Sequence, residues 1–425
     1  MIGPFGLLAG GLLFGAPIAF ALLAAALLYY LVSPIPDVIV VQRMVSGIES
    51  FPLLAVPLFV LTGTVMARGG IATRLLDFAD GLVGHMKGGL GQVNVMNSVL
   101  MGGMSGSANA DAAIDAKVLV PVMVKKGYSR DFASALSAAT GVITPILPPG
   151  IGLIIYGLIA QVSIGRLFIA GIVPGIMLAI GLMIVVRIIA GRRGYGAQRG
   201  HMVGFGELLR LARRAFWALM MPVLLIVGLR LGVFTPTELG AVAAVYALLV
   251  GVVIHREIPI REIPAVFREA VLTSSVVMLI IAAAAAFGAV ISIERVPQAF
   301  VSRLVGITEN PLLLLLVINV GLMLLGTVLE GTSILVILTP ILAPVGASLG
   351  VDPVQFGVVI VLNLTIGALT PPVGTVLYTV CSITGSTVKG YTREIWPLLL
   401  ALVAVLLLIT YVPAFTLTLP DLVYE

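Results

Sequence analysis

Apolar runs of about 20 residues or more recur along nearly the whole chain, each the length of a helix that crosses a ~30 Å hydrocarbon core. The pattern predicts membrane-spanning helices at 4–32, 52–68, 130–160, 166–191, 213–232, 235–254, 267–292, 354–384 and 392–416. Two further apolar blocks, 89–124 and 311–348, have a different shape. Each is a pair of half-length helical runs around a small polar centre, "MSGSAN" in one and "LEGTS" in the other. Halves of ~15 residues are too short to cross with margin. Each block therefore predicts a re-entrant hairpin that enters and leaves on one side. Two of the long runs are themselves interrupted, by "TPILPPGIG" at 144–152 and "LTPPVGT" at 369–375. A Pro pair removes amide donors and clashes with the preceding turn, which breaks a helix. Backbone freed at that depth is tolerated only where it lines a protein cavity.

The order of hairpin, broken span and span occurs twice. An offset of 223 positions lays Pro121 on Pro344, Pro148 on Pro371, Pro149 on Pro372 and Pro174 on Pro397. The same offset lays Gly103 on Gly326, Ser163 on Ser386 and Arg166 on Lys389. With four full spans in each copy and one extra span at 213–232 between them, the second copy runs upside down relative to the first. Loop charge sets the orientation, because Lys and Arg favour the cytoplasmic side. If the N-terminus is cytoplasmic and the hairpins return to the side they left, the cytoplasmic segments hold 18 of the 24 Lys and Arg. The opposite side holds Arg43, Arg166, Arg230, Arg295 and Arg303. The expected topology thus has a cytoplasmic N-terminus and a periplasmic C-terminus. The first hairpin dips in from the cytoplasm and the second from outside.

Composition agrees with this reading and narrows the classes of function. The 425 residues are 60% hydrophobic and 10% charged, with a mean hydropathy of +1.18, far outside the range of soluble domains. The chain is expected to be an all-α polytopic membrane protein embedded in a lipid bilayer. Its first run lacks a basic leader and is too long for a signal-peptide core, so it is expected to be retained. The basic residues are scattered singly through loops and do not form a nucleic-acid footprint. A single cysteine, Cys381, permits neither an internal disulfide nor a thiolate metal cluster. His85, His201 and His255 fall in loops, and neither an HExxH nor a G-x-S-x-G motif is present, so an enzyme is not expected. No phosphate-binding glycine loop supports direct ATP drive.

Inverted repeats with broken helices point to a secondary transporter whose site lies near the midplane, where the repeats meet. Half-helix N-termini offer free amides and a positive dipole end to anions. Unwound carbonyls and half-helix C-termini offer oxygens to a hard cation such as Na⁺. In "GGMSGSANADAAIDA" at 102–116, Ser105 and Asn109 are four apart across the hairpin turn. Ser107, Asp111 and Asp115 share one face of the second half-helix. The serine and asparagine oxygens can cap free amides or coordinate a cation. Asp111 lies about one turn in, where the dipole favours a carboxylate. An unpaired charge at this depth costs about 2.5–3.5 kcal/mol, so a partner or a wet cavity is expected. Lys117 lies on another face and reads as a snorkelling residue. The second hairpin offers Glu330, Gly331, Thr332 and Ser333 at the equivalent place. Glu330 is either a site residue or a lock between domains. Thr144, Thr370 and Thr375 flank the Pro breaks, and Asn363 and Thr365 lead into the second. Threonine in a membrane helix also commonly bonds its own backbone, so each has a structural reading as well.

The run "GMSGSANADAAIDAKVLVPVMVKKGYSRDFASALSAATGVITPILPPG" resembles the first-hairpin signature of the large membrane subunit of tripartite ATP-independent periplasmic (TRAP) transporters. "LEGTSILVILTPILAPV" and "LTPPVGTVLY" resemble its second-hairpin and second broken-span signatures, and the likeness covers nearly the whole chain. The resemblance implies Na⁺-driven uptake of an organic acid of the C4-dicarboxylate, sialic acid or sugar acid class at the bacterial inner membrane. It implies an elevator motion, with residues 89–165 and 293–391 as transport domain and 1–88, 166–292 and 392–425 as scaffold. A small membrane subunit and a periplasmic substrate-binding protein would be partners; an ion-coupled carboxylate carrier without a binding protein is the alternative. Carried onto this chain, one Na⁺ site would use Ser105, Asn109 and backbone oxygens near Thr144 and Pro149. The other would use Thr332 and the segment from Thr370 through Gly374 to Thr375. Asp111 matches a conspicuous acid of the motif and would lie at the substrate cavity, with Ser107, Glu330, Ser333 and Thr375 as further candidates for substrate contact.

Overall fold

The computed structural model describes residues 2–102, 106–230, 233–299 and 310–424. The apolar runs are helical, the form in which a chain satisfies its own backbone without water. Among the described residues, eight helices are long and apolar enough to cross a membrane.

The N-terminal run departs from expectation. Residues 4–32 do not form one span; α1 (Ile2–Leu13) and α2 (Ile18–Val32) are two helices joined by a sharp turn. They run antiparallel, with Gly3 facing Leu28 and Gly11 facing Ala21. Gly15 supplies the turn with a left-handed φ of +78°, and Pro17, which lacks an amide, starts the new helix. The chain therefore re-emerges on the face from which it entered. The expectation of a cytoplasmic N-terminus rested on one crossing here, and the hairpin removes that basis.

α3 (Val38–Ile48) follows, then a 3-10 turn at Phe51–Leu54 that leads into α4 (Ala55–Arg68). α5 (Ile71–Val83) occupies a stretch that the apolar pattern left unassigned. The first hairpin is α6 (Gly89–Gly102) and α7 (Ala108–Lys125). The first broken span is α8 (Arg130–Thr140) and α9 (Ile151–Ile159), followed by the long α10 (Ile164–Arg193). α11 (Phe205–Arg230) and α12 (Pro236–Leu248), the latter extended by a π turn at Leu249–Ile254, lead to α13 (Ile263–Ile293). The second hairpin is α14 (Pro311–Val328) and α15 (Gly331–Ser348). The second broken span is α16 (Pro353–Leu369) and α17 (Thr375–Thr384). α18 (Val388–Tyr411) and the short α19 (Ala414–Tyr424) end the described chain.

The two copies are built alike in detail. Ser107 caps α7 and Glu330 caps α15; Ser129 caps α8 and Asp352 caps α16. Both pairs are related by the offset of 223. The Pro148–Pro149 and Pro371–Pro372 bonds are both cis. Each hairpin is tied to its broken span by a buried amide. Asn94 donates to Ser137 Oγ at 2.9 Å and accepts from Thr140 Oγ1 at 3.1 Å. Asn363, at the position equivalent to Thr140, donates to Asn319 Oδ1 at 2.7 Å. In hydrocarbon such bonds fix helix pairs that apolar packing alone would leave free to slide.

Packing sorts the helices into two groups. α7 packs on α8 and α17, α14 on α16, and α15 on α16 and α9, so hairpins and broken spans of both copies interlock. α10 lies against α6, α9 and α16, and α18 lies against α8, α10 and α16. Both therefore pack with the hairpins, not with the scaffold helices to which the sequence reading assigned them. The second group joins α4 to α12 and α13, and α13 to α2 and α3. α5 bridges the two by packing on α6 and on α11.

Candidate functional site

Both hairpin tips and both helix breaks meet around one cavity of about 80 Å³. Its lining includes Ser107 and Asn109 from the first tip, Glu330 and Thr332 from the second, and Thr375 from the second break. Gly152 from the first break and Leu364 and Thr365 from α16 complete the wall. The sequence-predicted Ser107, Asn109, Glu330, Thr332 and Thr375 thus come together from three separate segments. Ser105 lies outside the described residues.

Local chemistry explains the geometry of the tips. Ser107 Oγ accepts from Ala110 N at 3.5 Å, and the Glu330 carboxylate accepts from Thr332 N at 3.0 Å and Ser333 N at 2.9 Å. Glu330 is therefore the cap of α15 as well as a wall of the cavity. α7, α15, α9 and α17 all begin at the cavity, so four positive helix ends point at one small volume. Gly106 holds the first tip, with φ +59°; a Cβ there would collide with the Pro149 carbonyl oxygen. Ile151 N also donates to Gly106 O at 3.4 Å, clamping this tip to its break. At the second tip, Gly374 N donates to Thr327 O at 2.7 Å.

Oxygen atoms available to a hard cation cluster in the same places. Gly374 has φ +55°, and a Cβ on it would sit 2.8 Å from Ala368 O and 3.0 Å from Thr370 O. The absent side chain leaves a cradle floored by carbonyls. Thr370 Oγ1 bonds its own helix at Ile366 O, 2.7 Å, so its carbonyl is the free oxygen. Asn109 Oδ1 and Thr375 Oγ1 are buried without a hydrogen-bond partner. The donors are amide, hydroxyl and carbonyl oxygens, the set a hard monovalent ion prefers. Among the described residues, no group of three His, Cys, Asp or Glu gathers to suit a transition metal.

Three predicted residues take other places. Asp111 is fully buried inside the first hairpin and does not line the cavity. Its Oδ2 accepts from Thr144 Oγ1 and from Ser98 Oγ, both at 2.8 Å, which also commits the Thr144 hydroxyl. The i, i+4 spacing puts Asp111 and Asp115 on one face, and α6 covers that face. Asp115 accepts from Asn97 Nδ2 at 2.9 Å and touches Ser98 Oγ at 3.2 Å. Ser98 and Asn97 were missed; the signal was the polar series Asn94, Asn97, Ser98 at helical spacing within α6. Ser333 is buried beside its cap, its hydroxyl donating to Glu330 Oε2 at 3.0 Å. With Glu330 and Thr332 it lines a larger, mostly apolar space of about 750 Å³ beside the α1–α2 turn.

Comparison with known proteins gives this arrangement its context. Residues 5–415 match the family described as "Tripartite ATP-independent periplasmic transporter, DctM component". The chain belongs to this family of TRAP transporter large permeases. It is 42% identical to the sialic acid TRAP transporter large permease SiaM of Vibrio cholerae, over 97% of this chain and 96% of that one. It is 40% identical to the 2,3-diketo-L-gulonate TRAP large permease YiaN of Escherichia coli, over 96% of each chain. The C4-dicarboxylate large permease DctM of Pseudomonas aeruginosa is 36% identical, over 94% of this chain and 93% of that one. These relatives are named as permeases, in line with a carrier and not an enzyme. The YdaH transporter of Alcanivorax borkumensis superposes with a TM-score of 0.65 over 92% of this chain and 95% of its own, at 14% identity, a likeness of fold. The chain is thus a multi-pass TRAP large permease, with both hairpins and both breaks of that architecture converging on its central cavity.

Proposed function

We propose that this permease carries an organic acid inward across the bacterial inner membrane, driven by co-transported Na⁺. The observation that carries the reading is the convergence of four helix N-termini and a set of unpartnered oxygens on one cavity. The positive helix ends favour the carboxylate of a substrate. Asn109 with the Pro149 carbonyl, and Thr332 with the Ala368 and Thr370 carbonyls around Gly374, would hold the cations. The named relatives handle sialic acid, 2,3-diketo-L-gulonate and C4-dicarboxylates, all carboxylates. Each positive charge moved through 100 mV is worth about 2.3 kcal/mol, so more Na⁺ than substrate charge adds the membrane potential to the driving force.

The cavity of about 80 Å³ is far below the ~300–1,000 Å³ of small-molecule pockets, so the tips must part before a whole acid enters. Movement of the hairpin group against the α4, α12 and α13 group, an elevator, would then expose the site to either side. The two groups touch directly where α15 meets α13 and α9 meets α4, and α5, which packs on α6 and on α11, links them at a second place that such a movement would have to accommodate. A small membrane subunit and a periplasmic binding protein complete the transporter.

The test is uptake by permease reconstituted with both partners. Accumulation of the acid is expected only under an inward Na⁺ gradient. Equal uptake in Na⁺-free buffer would overturn the coupling, and equal uptake without the binding protein would favour the simpler carboxylate carrier.

A further inference from the structure

A second cavity, of about 430 Å³, lies between the two helix groups. Arg43, Ser46 and Ser50 line it from the α3 side, Ser292 from α13, and Gln161 from the end of α9. We propose that this cavity is an outer receiving site for a hydroxylated carboxylic acid, with Arg43 holding the carboxylate. The proposal rests on the transport reading above and gives it a substrate class and a port of arrival.

Four observations carry it. The first is size: 430 Å³ falls within the range of small-molecule sites, whereas the cavity between the tips does not. The second is charge. Arg43 makes no ion pair among the described residues, and no acid lines the cavity. A guanidinium in that position presents its paired donors to a carboxylate and concentrates anions at the mouth. The third is hydrogen-bond polarity. Ser46 donates to Gln42 O at 2.8 Å, Ser292 to Gly288 O at 3.0 Å, and Gln161 Nε2 to Leu158 O at 2.7 Å. These bonds commit the Ser46 and Ser292 hydroxyl protons and one of the two Gln161 amide hydrogens, so the Ser46, Ser292 and Gln161 side-chain oxygens offer acceptors that suit hydroxyl donors on the acid. The fourth is continuity. Ile155 and Val336 line this cavity, while Gly152 and Leu335, on the same helices α9 and α15, line the one between the tips. The walls of the two cavities are thus about one helical turn apart along α9.

Site-directed thiol chemistry tests this without requiring transport. Ser46→Cys permease has one accessible thiol, since Cys381 is buried. An anionic methanethiosulfonate should modify it about fivefold faster than a cationic one, the scale of a single exposed ion pair. Arg43→Gln in that background should abolish the preference and Arg43→Lys should keep it. Gluconate should slow the reaction more than hexanoate, and only while residue 43 is cationic. In the reconstituted system, Arg43→Gln should raise KM for the delivered acid about fivefold and leave the Na⁺ titration in place. Equal rates for the two reagents, or gluconate protection that survives Arg43→Gln, would overturn the site. Failure of the transport reading would show separately, as wild-type uptake indifferent to Na⁺.

Discussion

Gly374 shows how much one missing methyl does at this site. Its φ of +55° suits glycine, and the Ala368 and Thr370 carbonyls crowd the space where a Cβ would stand. Gly374→Ala adds left-handed strain of about 1–2 kcal/mol and fills the carbonyl cradle. Uptake should fall about tenfold or more with the Na⁺ titration shifted to higher concentration, as read from initial rates across a Na⁺ series. An unshifted titration would make Gly374 a turn residue only. The Asp111 cluster makes a different prediction. Thr144→Val removes one of two hydroxyls bonded to Asp111 Oδ2 and keeps the side-chain volume. Removing one partner of a buried hydrogen bond costs about 1–3 kcal/mol, so thermal unfolding in detergent should show a lowered midpoint. Spacing alone placed Asp111 and Asp115 on one face of α7, as found. It could not show which helix covers that face, because α6 reads as an apolar half-helix until its polar series is set against α7. Asp111 therefore looked like a cavity residue and is an internal one.

At the scale of elements, the helix caps carry the repeat. Ser107 and Glu330 occupy one position in the two copies and do the same work for α7 and α15 with different side chains. Glu330→Ala should cost about 1 kcal/mol of stability through the lost cap. Glu330→Ser, which borrows the residue of the first copy, should recover most of it; thermal unfolding of the two variants side by side decides this. If Glu330→Ala is neutral, the carboxylate serves the cavity alone. The hairpins and breaks were legible in sequence because small polar centres and Pro pairs interrupt otherwise continuous apolar runs. The α1–α2 turn was not read, although "FGAP" carries both a glycine and a proline, because the apolar run continues on either side of it. α5 went unread for the opposite reason. It mixes Arg74, Asp77 and Asp80 with apolar residues, the signature of a helix lying along a protein surface and not of a span.

For the whole molecule, the hairpin at the N-terminus changes the orientation that loop charge implies. Arg43 belongs to the sparsely charged outer side, and 18 of the 24 Lys and Arg still fall on the cytoplasmic side when every later segment keeps its assignment. Because α1 and α2 run antiparallel, the N-terminus then lies on the same side as Arg43. The turn at Gly15–Ile18 also borders the second hairpin tip, at Glu330 and Thr332, which places it deep in the membrane and not at a surface. Both termini are therefore expected outside. An N-terminal epitope tag followed by a protease site should be cut by protease added to spheroplasts with intact inner membranes. A cysteine at Lys126, between α7 and α8, should react with an impermeant thiol reagent only after the membrane is opened. Cleavage of the tag only in opened membranes would restore a single crossing before Arg43 and refute the hairpin topology. The same experiment on a chain with Pro17→Ala and Gly15→Ala asks whether the turn residues set the outcome. Without them, α1 and α2 are expected to join into one long helix, and the tag should move to the cytoplasmic side.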